Sequence, residues 1–390
     1  MKSLYKFFSI SLVSSLLLCA CIQDEPLNME ADILEVNVPD LPENIRFGTE
    51  RIKPDKGTNQ IEILIKANGK VGELSPEFIL TEGATISPAS GTTLDFSGFN
   101  GQKYTVTSEN RKWTKEYTVR VVPPYIMTAD NGGNGKTKSF GFNHYQKFDG
   151  DYNFHEFYEE AASGRKDFIW GSGNLGFALT NKNTQAENYP TFAIAEGKSG
   201  SAACLVTRST GLFGAMVGMP IATGNLFLGS FDVSQAIKTP LLATQFGVPY
   251  MMNEPVEVQF LYKFQGGTFK DKNGVEQQDY PSIYAVLFEP EVTGDGEIIL
   301  LNGENVRTAS NIISIAELDT AQIIRSKDIA TAEFTQCSIQ FVLRKAFDAQ
   351  KLANGNYYIT IVFASSCRGE YFEGFVGNTL IVDEVILITK

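Results

Sequence analysis

The most informative stretch of this sequence is Val256-Glu257-Val258-Gln259-Phe260-Leu261-Tyr262. Apolar and polar residues largely alternate along it. In a β-strand successive side chains point to opposite faces, so alternation with a period of two indicates a strand with one dry face and one wet face. The sequence therefore predicts that residues around this stretch form a strand at the edge of a hydrophobic core.

Similar strand-like runs occur throughout residues 125 to 390. They are Ala202–Thr207, Val256–Phe264, Ile283–Phe288, Ser338–Leu343, Tyr357–Ala364 and Thr379–Ile388. The segments Ala316–Ala332 and Arg344–Leu352 have a composition compatible with helix, so we expect one or two short helices. A domain of this size built mainly from strands is most simply a two-sheet jelly roll.

The first part of the chain predicts a smaller β-sandwich. Short alternating runs lie at Ile33–Val38, Gln60–Lys66, Lys103–Thr107 and Lys115–Val121, and Pro123-Pro124 ends the series. Short strands separated by glycine and proline are typical of immunoglobulin-like sandwiches. We predict an all-β chain with an immunoglobulin-like domain at residues 31–122 and a larger jelly-roll domain at residues 125–390.

Composition restricts the function. The 390 residues carry a formal net charge of −12, and 12% of them are aromatic. An acidic chain is a poor partner for nucleic acid, which requires cationic patches. With two histidines, His144 and His155, a histidine-rich metal centre is excluded. Beyond residue 21 the cysteines are Cys204, Cys337 and Cys367. An odd number cannot be fully paired, but one disulfide of undetermined pairing remains open.

The first residues predict export. Lys2 and Lys6 precede an apolar stretch at Ile10–Leu18, which is too short to span a bilayer as a helix. The following Leu18-Cys19-Ala20-Cys21 resembles the lipobox of bacterial lipoproteins, which implies a signal peptide at residues 1–21 and acylation of Cys21. The alternative is an ordinary cleaved signal with a chance cysteine.

Residues 22–30 then form a polar tether. Its Gln23-Asp24-Glu25 looks like the surface-export tag of Bacteroidetes lipoproteins. We expect an outer-membrane lipoprotein on the cell surface that contacts the membrane through its lipid anchor alone.

Two further resemblances concern the domains. Thr85–Gly91, Tyr104–Thr107 and Glu116–Val119 resemble immunoglobulin-like domains of Bacteroidetes surface lipoproteins over residues 31–122, which implies a spacer. Gly197–Thr207, Pro281–Glu289, Ser365–Gly374 and Gly377–Val385 look like the "putative carbohydrate metabolism domain" of gut Bacteroidetes over roughly residues 140–390. That resemblance implies a jelly roll like those of carbohydrate-binding modules, without an agreed catalytic mechanism.

Aromatic residues are the candidate sugar contacts, because a flat ring stacks on the apolar face of a sugar. The candidates are Trp170, Tyr189, Tyr284 and Tyr371, with Arg368 and Glu373 beside Tyr371 in a glycine-bounded segment. For Trp170 the alternative is a core position with a hydrogen-bonded indole N–H. For the segment around Tyr371 the alternative is a solvated loop without a ligand contact.

A structural Ca²⁺ is the one cofactor that the sequence raises. Related jelly rolls have a pattern similar to Val382-Asp383-Glu384-Val385 at a calcium site, which implies Asp383 as a ligand. The matching acid is Glu156, although Asp149 or Asp151 fit nearly as well. The alternative is that Asp383 is simply a charge on the wet face of a strand.

No catalytic set stands out, since the many acids cannot be paired from sequence. The leading hypothesis is a non-catalytic, surface-anchored protein that captures poly- or oligosaccharide on its jelly roll. The alternatives are a glycoside hydrolase or another carbohydrate-active enzyme, and a structural or adhesion protein that binds another protein.

Overall fold

The computed structural model describes residues 27–43, 46, 51–52, 59–65, 71–96, 101–122, 125–130, 135–160, 166–181, 184–292, 298–353 and 355–390. The predicted signal peptide and Cys21 lie outside these residues. The chain divides into two compact units. The first contains Met1–Ile45, Glu50–Ile63 and Lys70–Val122, and the second contains Arg46–Thr49, Leu64–Gly69 and Pro123–Lys390.

The first unit is built from short antiparallel strands. The strands are β1 (Ile33–Asn37), β2 (Arg51–Ile52), β3 (Gln60–Leu64), β4 (Glu73–Leu74), β5 (Glu77–Leu80), β6 (Thr85–Ser87), β7 (Leu94–Asp95), β8 (Gln102–Thr107) and β9 (Thr114–Val122). Among the described residues of this unit, one sheet has the order β2-β1-β5, another has the order β3-β9-β8-β6, and β4 pairs with β7. Its buried residues include Val36, Tyr104 and Val119.

The described strands of the second unit are β10 (Thr137–Phe140), β11 (Tyr145–Lys147), β12 (His155–Phe157), β13 (Glu159–Glu160), β14 (Lys166–Asp167), β15 (Trp170–Gly171), β16 (Thr191–Ile194), β17 (Ala202–Val206), β18 (Arg208–Ser209), β19 (Ile221–Ala222), β20 (Asn225–Phe231), β21 (Thr244–Phe246), β22 (Val248–Tyr250), β23 (Pro255–Gln265), β24 (Thr268–Lys270), β25 (Glu276–Gln278), β26 (Ser282–Phe288), β27 (Glu291–Val292), β28 (Ile298–Ile299), β29 (Leu301–Asn302), β30 (Ile312–Glu317), β31 (Thr335–Gln340), β32 (Val342–Leu343), β33 (Tyr357–Ala364) and β34 (Thr379–Thr389).

Short helices interrupt these strands. The described α-helices are α1 (Asn174–Ala178), α2 (Gly211–Met216), α3 (Pro240–Ala243) and α4 (Ala349–Ala353), and the 3₁₀ turns are Ala186–Asn188, Val233–Gln235, Thr320–Gln322 and Gly369–Tyr371. In the described part of the chain, no helix has the length and apolar character needed to cross a membrane.

Two antiparallel sheets pack face to face in the second unit. We call them sheet A, with the order β16-β17-β34-β23-β31 and β10 paired to β34, and sheet B, with the order β29-β21-β20-β33-β26-β30-β32 and with β15 and β22 attached. Phe260 of sheet A packs on Phe363 of sheet B with ring centroids 5.5 Å apart. The shared core confirms the predicted all-β class built from β-sandwiches.

The strands of sheet B differ from the alternating pattern of β23. Nearly every residue of β26 and β33 is buried, whereas buried positions mostly alternate with half-buried ones along β23. The outward-facing residues of sheet B form a second apolar cluster that includes Phe227, Tyr284 and Val362. Both faces of sheet B are therefore covered.

One helix expectation was wrong. Within Ala316–Ala332 the structure has the end of β30 and the 3₁₀ turn Thr320–Gln322, with no α-helix. The turn begins where the Asp319 side chain accepts a hydrogen bond from the N–H of Ala321, and competition of this kind favours turns over helices. The second expectation was closer, because α4 lies at the end of Arg344–Leu352.

We predict that Phe260→Ala lowers the free energy of unfolding by about 3–5 kcal/mol, because it removes a fully buried ring from between the two sheets. Urea unfolding would measure the loss. Phe168→Ala is the matched control, since that phenylalanine is half exposed and should cost less than about 1 kcal/mol. Equal losses for the two variants would contradict the assignment of the core.

Candidate functional site

A cavity of about 490 Å³ lies on the outer face of sheet B. Its floor includes Phe227 of β20, Val362 of β33 and Tyr284 of β26. Val362 is paired in register with both other residues, so the three side chains stand in a row across neighbouring strands. Adjacent residues of the same strands, such as Leu226 and Phe363, point into the core between the sheets.

Helices and loops form the walls of this cavity. Phe177 of α1, Phe213 of α2 and Leu241 of α3 contribute apolar side chains, and the loop around Arg307 contributes another side. The 3₁₀ turn Gly369–Tyr371 closes the remaining part. The site is therefore assembled from segments that are far apart in sequence.

Arg307 provides the main charged group. Its Nη2 donates a hydrogen bond to Glu370 Oε1 at 3.1 Å, and its Nη1 lies 3.9 Å from Glu317 Oε1. The guanidinium also lies over the ring of Tyr284, 5.3 Å from its centroid. Burial raises the pKa of the Tyr284 hydroxyl, an effect that the charge of Arg307 opposes. The hydroxyl therefore stays protonated near neutral pH.

Tyr371 is one of the exposed aromatic residues of the site. Its side chain is 49% exposed, and it lines the cavity together with Glu370. Arg368 and Glu373 are absent from the described lining, but Arg368 lies over the Tyr371 ring at 5.2 Å and forms an ion pair with Glu373 at 2.5 Å. This pair restrains the orientation of Tyr371, and the sugar contacts of Arg368 and Glu373 stay predictions.

A buried carboxylate fixes the segment that carries Glu370 and Tyr371. Asp279 Oδ2 accepts hydrogen bonds from Ser366 Oγ and from the N–H of Phe375, both at 2.7 Å. Its Oδ1 accepts bonds from the N–H of Tyr280 at 2.9 Å and of Cys367 at 3.3 Å. Burial raises the pKa of Asp279, whereas these hydrogen bonds lower it. Asp279 was not among the predicted site residues.

Trp170 and Tyr189 require correction as sugar contacts. Trp170 packs edge-on against Phe140 at 5.4 Å, and its Nε1 donates a hydrogen bond to Glu159 Oε1 at 3.1 Å. Tyr189 is fully buried beside Phe154 and Phe177. A buried ring has no free face on which a sugar can stack, so both residues have structural roles in this conformation.

The described structure does not gather the predicted calcium ligands Asp383 and Glu156 into a cluster of acidic side chains. Asp383 is buried, its Oδ2 accepts N–H bonds from Lys198 at 2.7 Å and from Ser199 at 3.4 Å, and its Oδ1 accepts one from Glu384 at 2.8 Å. Calcium needs six to eight oxygen ligands. The described residues contain no group of three or more candidate ligands.

Of the predicted residues, Tyr284 and Tyr371 line the cavity, whereas Arg307, Phe213 and Phe227 were not predicted. Tyr284 is buried with Arg307 over its ring, so it too has no free face for stacking. Arg307 follows the short strand β29 in a loop without a recognisable motif. Phe227 had one available signal, since it lies in the apolar run Leu226-Phe227-Leu228. A run without alternation indicates a strand that is covered on both faces.

The fold and the cavity define a β-sandwich protein with a ligand-sized pocket on the outer face of one sheet. The family model described as "Putative carbohydrate metabolism domain" matches residues 141–388, and the chain belongs to this family. The model described as "SGBP, N-terminal", where SGBP denotes surface glycan-binding protein, matches residues 45–121. The chain therefore contains two carbohydrate-related domains, which confirms the family resemblance.

Several solved structures are similar to this chain, and two of them show the relationship clearly by sequence identity. The first is described as a "putative glycoside hydrolase" from Bacteroides thetaiotaomicron VPI-5482, with 36% identity, a TM-score of 0.70, and coverage of 94% of this chain and 99% of that chain. The second has the same description, from Bacteroides vulgatus ATCC 8482, with 31% identity, a TM-score of 0.58, and coverage of 68% and 100%. The comparison with curated proteins gave no match.

The burial of the Glu159 carboxyl predicts a pH dependence of stability. Burial raises the pKa of the Glu159 carboxyl to about 7, whereas the hydrogen bond from Trp170 lowers it. Between pH 4.5 and 7 the unfolded chain loses this proton and the folded chain keeps it, so stability falls as the pH rises. We expect Glu159→Gln to reduce the difference in free energy of unfolding between pH 4.5 and pH 8 by about 2 kcal/mol.

Urea unfolding at the two pH values would measure this difference. Glu160→Gln is the control, because the Glu160 side chain is 47% exposed in the same strand. If Glu159→Gln left the pH dependence of the original protein unchanged, the proposed titration of Glu159 would be wrong.

Proposed function

We propose that this protein is a surface-located glycan-binding protein that holds carbohydrate at the mouth of the cavity on sheet B. The observation that carries the proposal is the half-exposed ring of Tyr371 beside the Arg307–Glu370 pair. The two carbohydrate-related domains support it independently.

The chemistry of the mouth suits a sugar. A ring with one free face can stack on the C–H groups of a pyranose, and the tyrosine hydroxyl remains in contact with water. Arg307 supplies planar N–H donors and Glu370 supplies acceptor oxygens, so both can form charge-assisted hydrogen bonds with sugar hydroxyls. A sugar at this position would use Tyr371 for contact area and the ion pair for orientation.

Hydrolysis is the second candidate function. It is favoured by the presence of two carboxylates, Glu304 and Glu370, in the lining of the same cavity. Glycoside hydrolysis commonly uses such a pair. The two similar structures described as glycoside hydrolases also support this alternative. A protein partner is less favoured, because the exposed apolar residues of α2 border a cavity and not a flat surface.

We expect Tyr371→Ala to weaken glycan binding about tenfold, because a lost stacking contact of this kind is worth about 1.4 kcal/mol. A glycan array probed with residues 22–390 would identify ligands, and calorimetry on the hits would measure the loss. Tyr145→Ala is the control, since Tyr145 is partly exposed and is absent from the described cavity lining.

Equal affinities of these two variants would contradict the proposed site. The hits should also be incubated with the protein and analysed for released sugars. If the protein released sugars, and if Glu370→Gln and Glu304→Gln each abolished that release, hydrolysis would replace binding as the proposed function.

We also propose that Cys21 is the lipid attachment site. The support is the sequence Leu18-Cys19-Ala20-Cys21 after a short apolar stretch. In a bacterial host that processes lipoproteins, Cys21→Ser should abolish labelling with an alkyne fatty acid and release the protein from the membrane fraction. Cys19→Ser is the matched control and should retain both. Retention of label in Cys21→Ser would exclude this attachment site.

A further inference from the structure

The interior of the cavity differs chemically from its mouth. Phe177, Phe213, Phe227, Val306 and Val362 line it with hydrocarbon groups. Among the described lining residues, Arg307 is the only cation, and it is already balanced by Glu370 and Glu317. A sugar placed deep inside would lose water from its hydroxyl groups.

Several polar side chains of the lining are already hydrogen-bonded within the protein. Thr180 Oγ1 donates to the carbonyl of Phe177 at 2.8 Å, and Asn225 Oδ1 accepts from the N–H of Gly173 at 2.7 Å. Ser366 Oγ donates to Asp279. These three groups have reduced capacity for a ligand, whereas the buried Thr223 hydroxyl of the lining has no partner within the described structure. Because each unsatisfied buried hydroxyl costs about 1–3 kcal/mol, the interior disfavours a bare sugar.

Helix α2 carries the apolar character to the surface. The side chains of Leu212 and Met216 are 86% and 85% exposed, and Phe213, which lines the cavity, is 52% exposed. Large apolar residues clustered on one short exposed helix commonly mark a binding surface. Phe213 belongs to this exposed apolar group and also lines the cavity, so it connects the apolar surface of α2 with the apolar interior.

Resting on the proposed function, we infer that the ligand is a neutral glycoconjugate, whose alkyl, acyl or other apolar substituent fills the cavity while its sugar binds at Tyr371, Arg307 and Glu370. The apolar walls select the substituent. The balanced ion pair leaves no free cation at the site for a carboxylated or sulfated sugar. The two ends of the ligand thus match two chemically different parts of one site.

A series of n-alkyl β-D-glucosides from methyl to octyl tests this inference on residues 22–390, with each compound kept below its critical micelle concentration. Burial of each added methylene is expected to strengthen binding about fourfold. Calorimetry at several temperatures should also show a negative heat-capacity change that grows with chain length.

Variants separate the two ends of the site. Phe213→Ala should weaken octyl glucoside binding about tenfold and leave methyl glucoside unchanged. Phe168→Ala is the matched control, because it removes a phenylalanine of similar exposure outside the described lining. Affinity that is independent of chain length, or insensitive to Phe213→Ala, would overturn the inference.

The failure of this inference can be distinguished from the failure of the proposed function. Glycan-array hits whose affinity does not depend on an apolar substituent would leave glycan binding standing and remove the inference. Octanol binding as tightly as octyl glucoside, without any array hit, would remove both. A preference for polygalacturonate or heparin over neutral glycans would overturn the inferred neutrality.

Discussion

The requirement that sheet B be covered on both faces governs the second unit. Strand β33 has buried side chains along nearly its whole length, so water must be excluded from both of its sides. Sheet A covers the inner face through contacts such as Phe260 with Phe363. In the described structure the outer face is covered by short helices, by loops and by the two-stranded sheet of β18 and β19, and not by another large sheet. Because these segments pack less continuously than a sheet, a cavity remains between them and Phe227, Val362 and Tyr284.

Asp279 imposes a second constraint, because a buried carboxyl group must have its hydrogen bonds satisfied. Its partners are the neighbouring Tyr280 and three residues around the segment that carries Glu370 and Tyr371. These three are Ser366, Cys367 and Phe375. This arrangement holds a loop that contains the 3₁₀ turn Gly369–Tyr371 at one edge of the cavity. The ion pair of Arg368 with Glu373 adds a second restraint on the same loop. A loop fixed in this way can present Tyr371 with little loss of conformational entropy on binding.

The strands could be predicted from the sequence because their periodicity is local. The alternation around Phe260 identified β23, and the run Tyr357–Ala364 coincides with β33. The helix expected within Ala316–Ala332 failed because composition alone does not register a turn that begins at Asp319. The site was harder to predict, since Arg307 and Glu370 meet only through tertiary structure. Trp170 was predicted as a possible sugar contact but is a core residue. Tryptophan occurs both in sugar sites and in cores, and only its burial in the structure distinguishes the two.

The contrast between β23 and β26 shows what sequence could have revealed about the site. The β26 sequence Ile283-Tyr284-Ala285-Val286-Leu287-Phe288 is apolar at every position, which requires a cover on the outer face. The row Phe227, Val362 and Tyr284 therefore has two roles, as hydrophobic surface of the sheet and as floor of the cavity. Changes in this row would alter stability and binding together. Substitutions that change ligand preference without disturbing the fold are therefore expected at the rim. Tyr371 and Phe213 are exposed there, and their replacement leaves the sandwich intact.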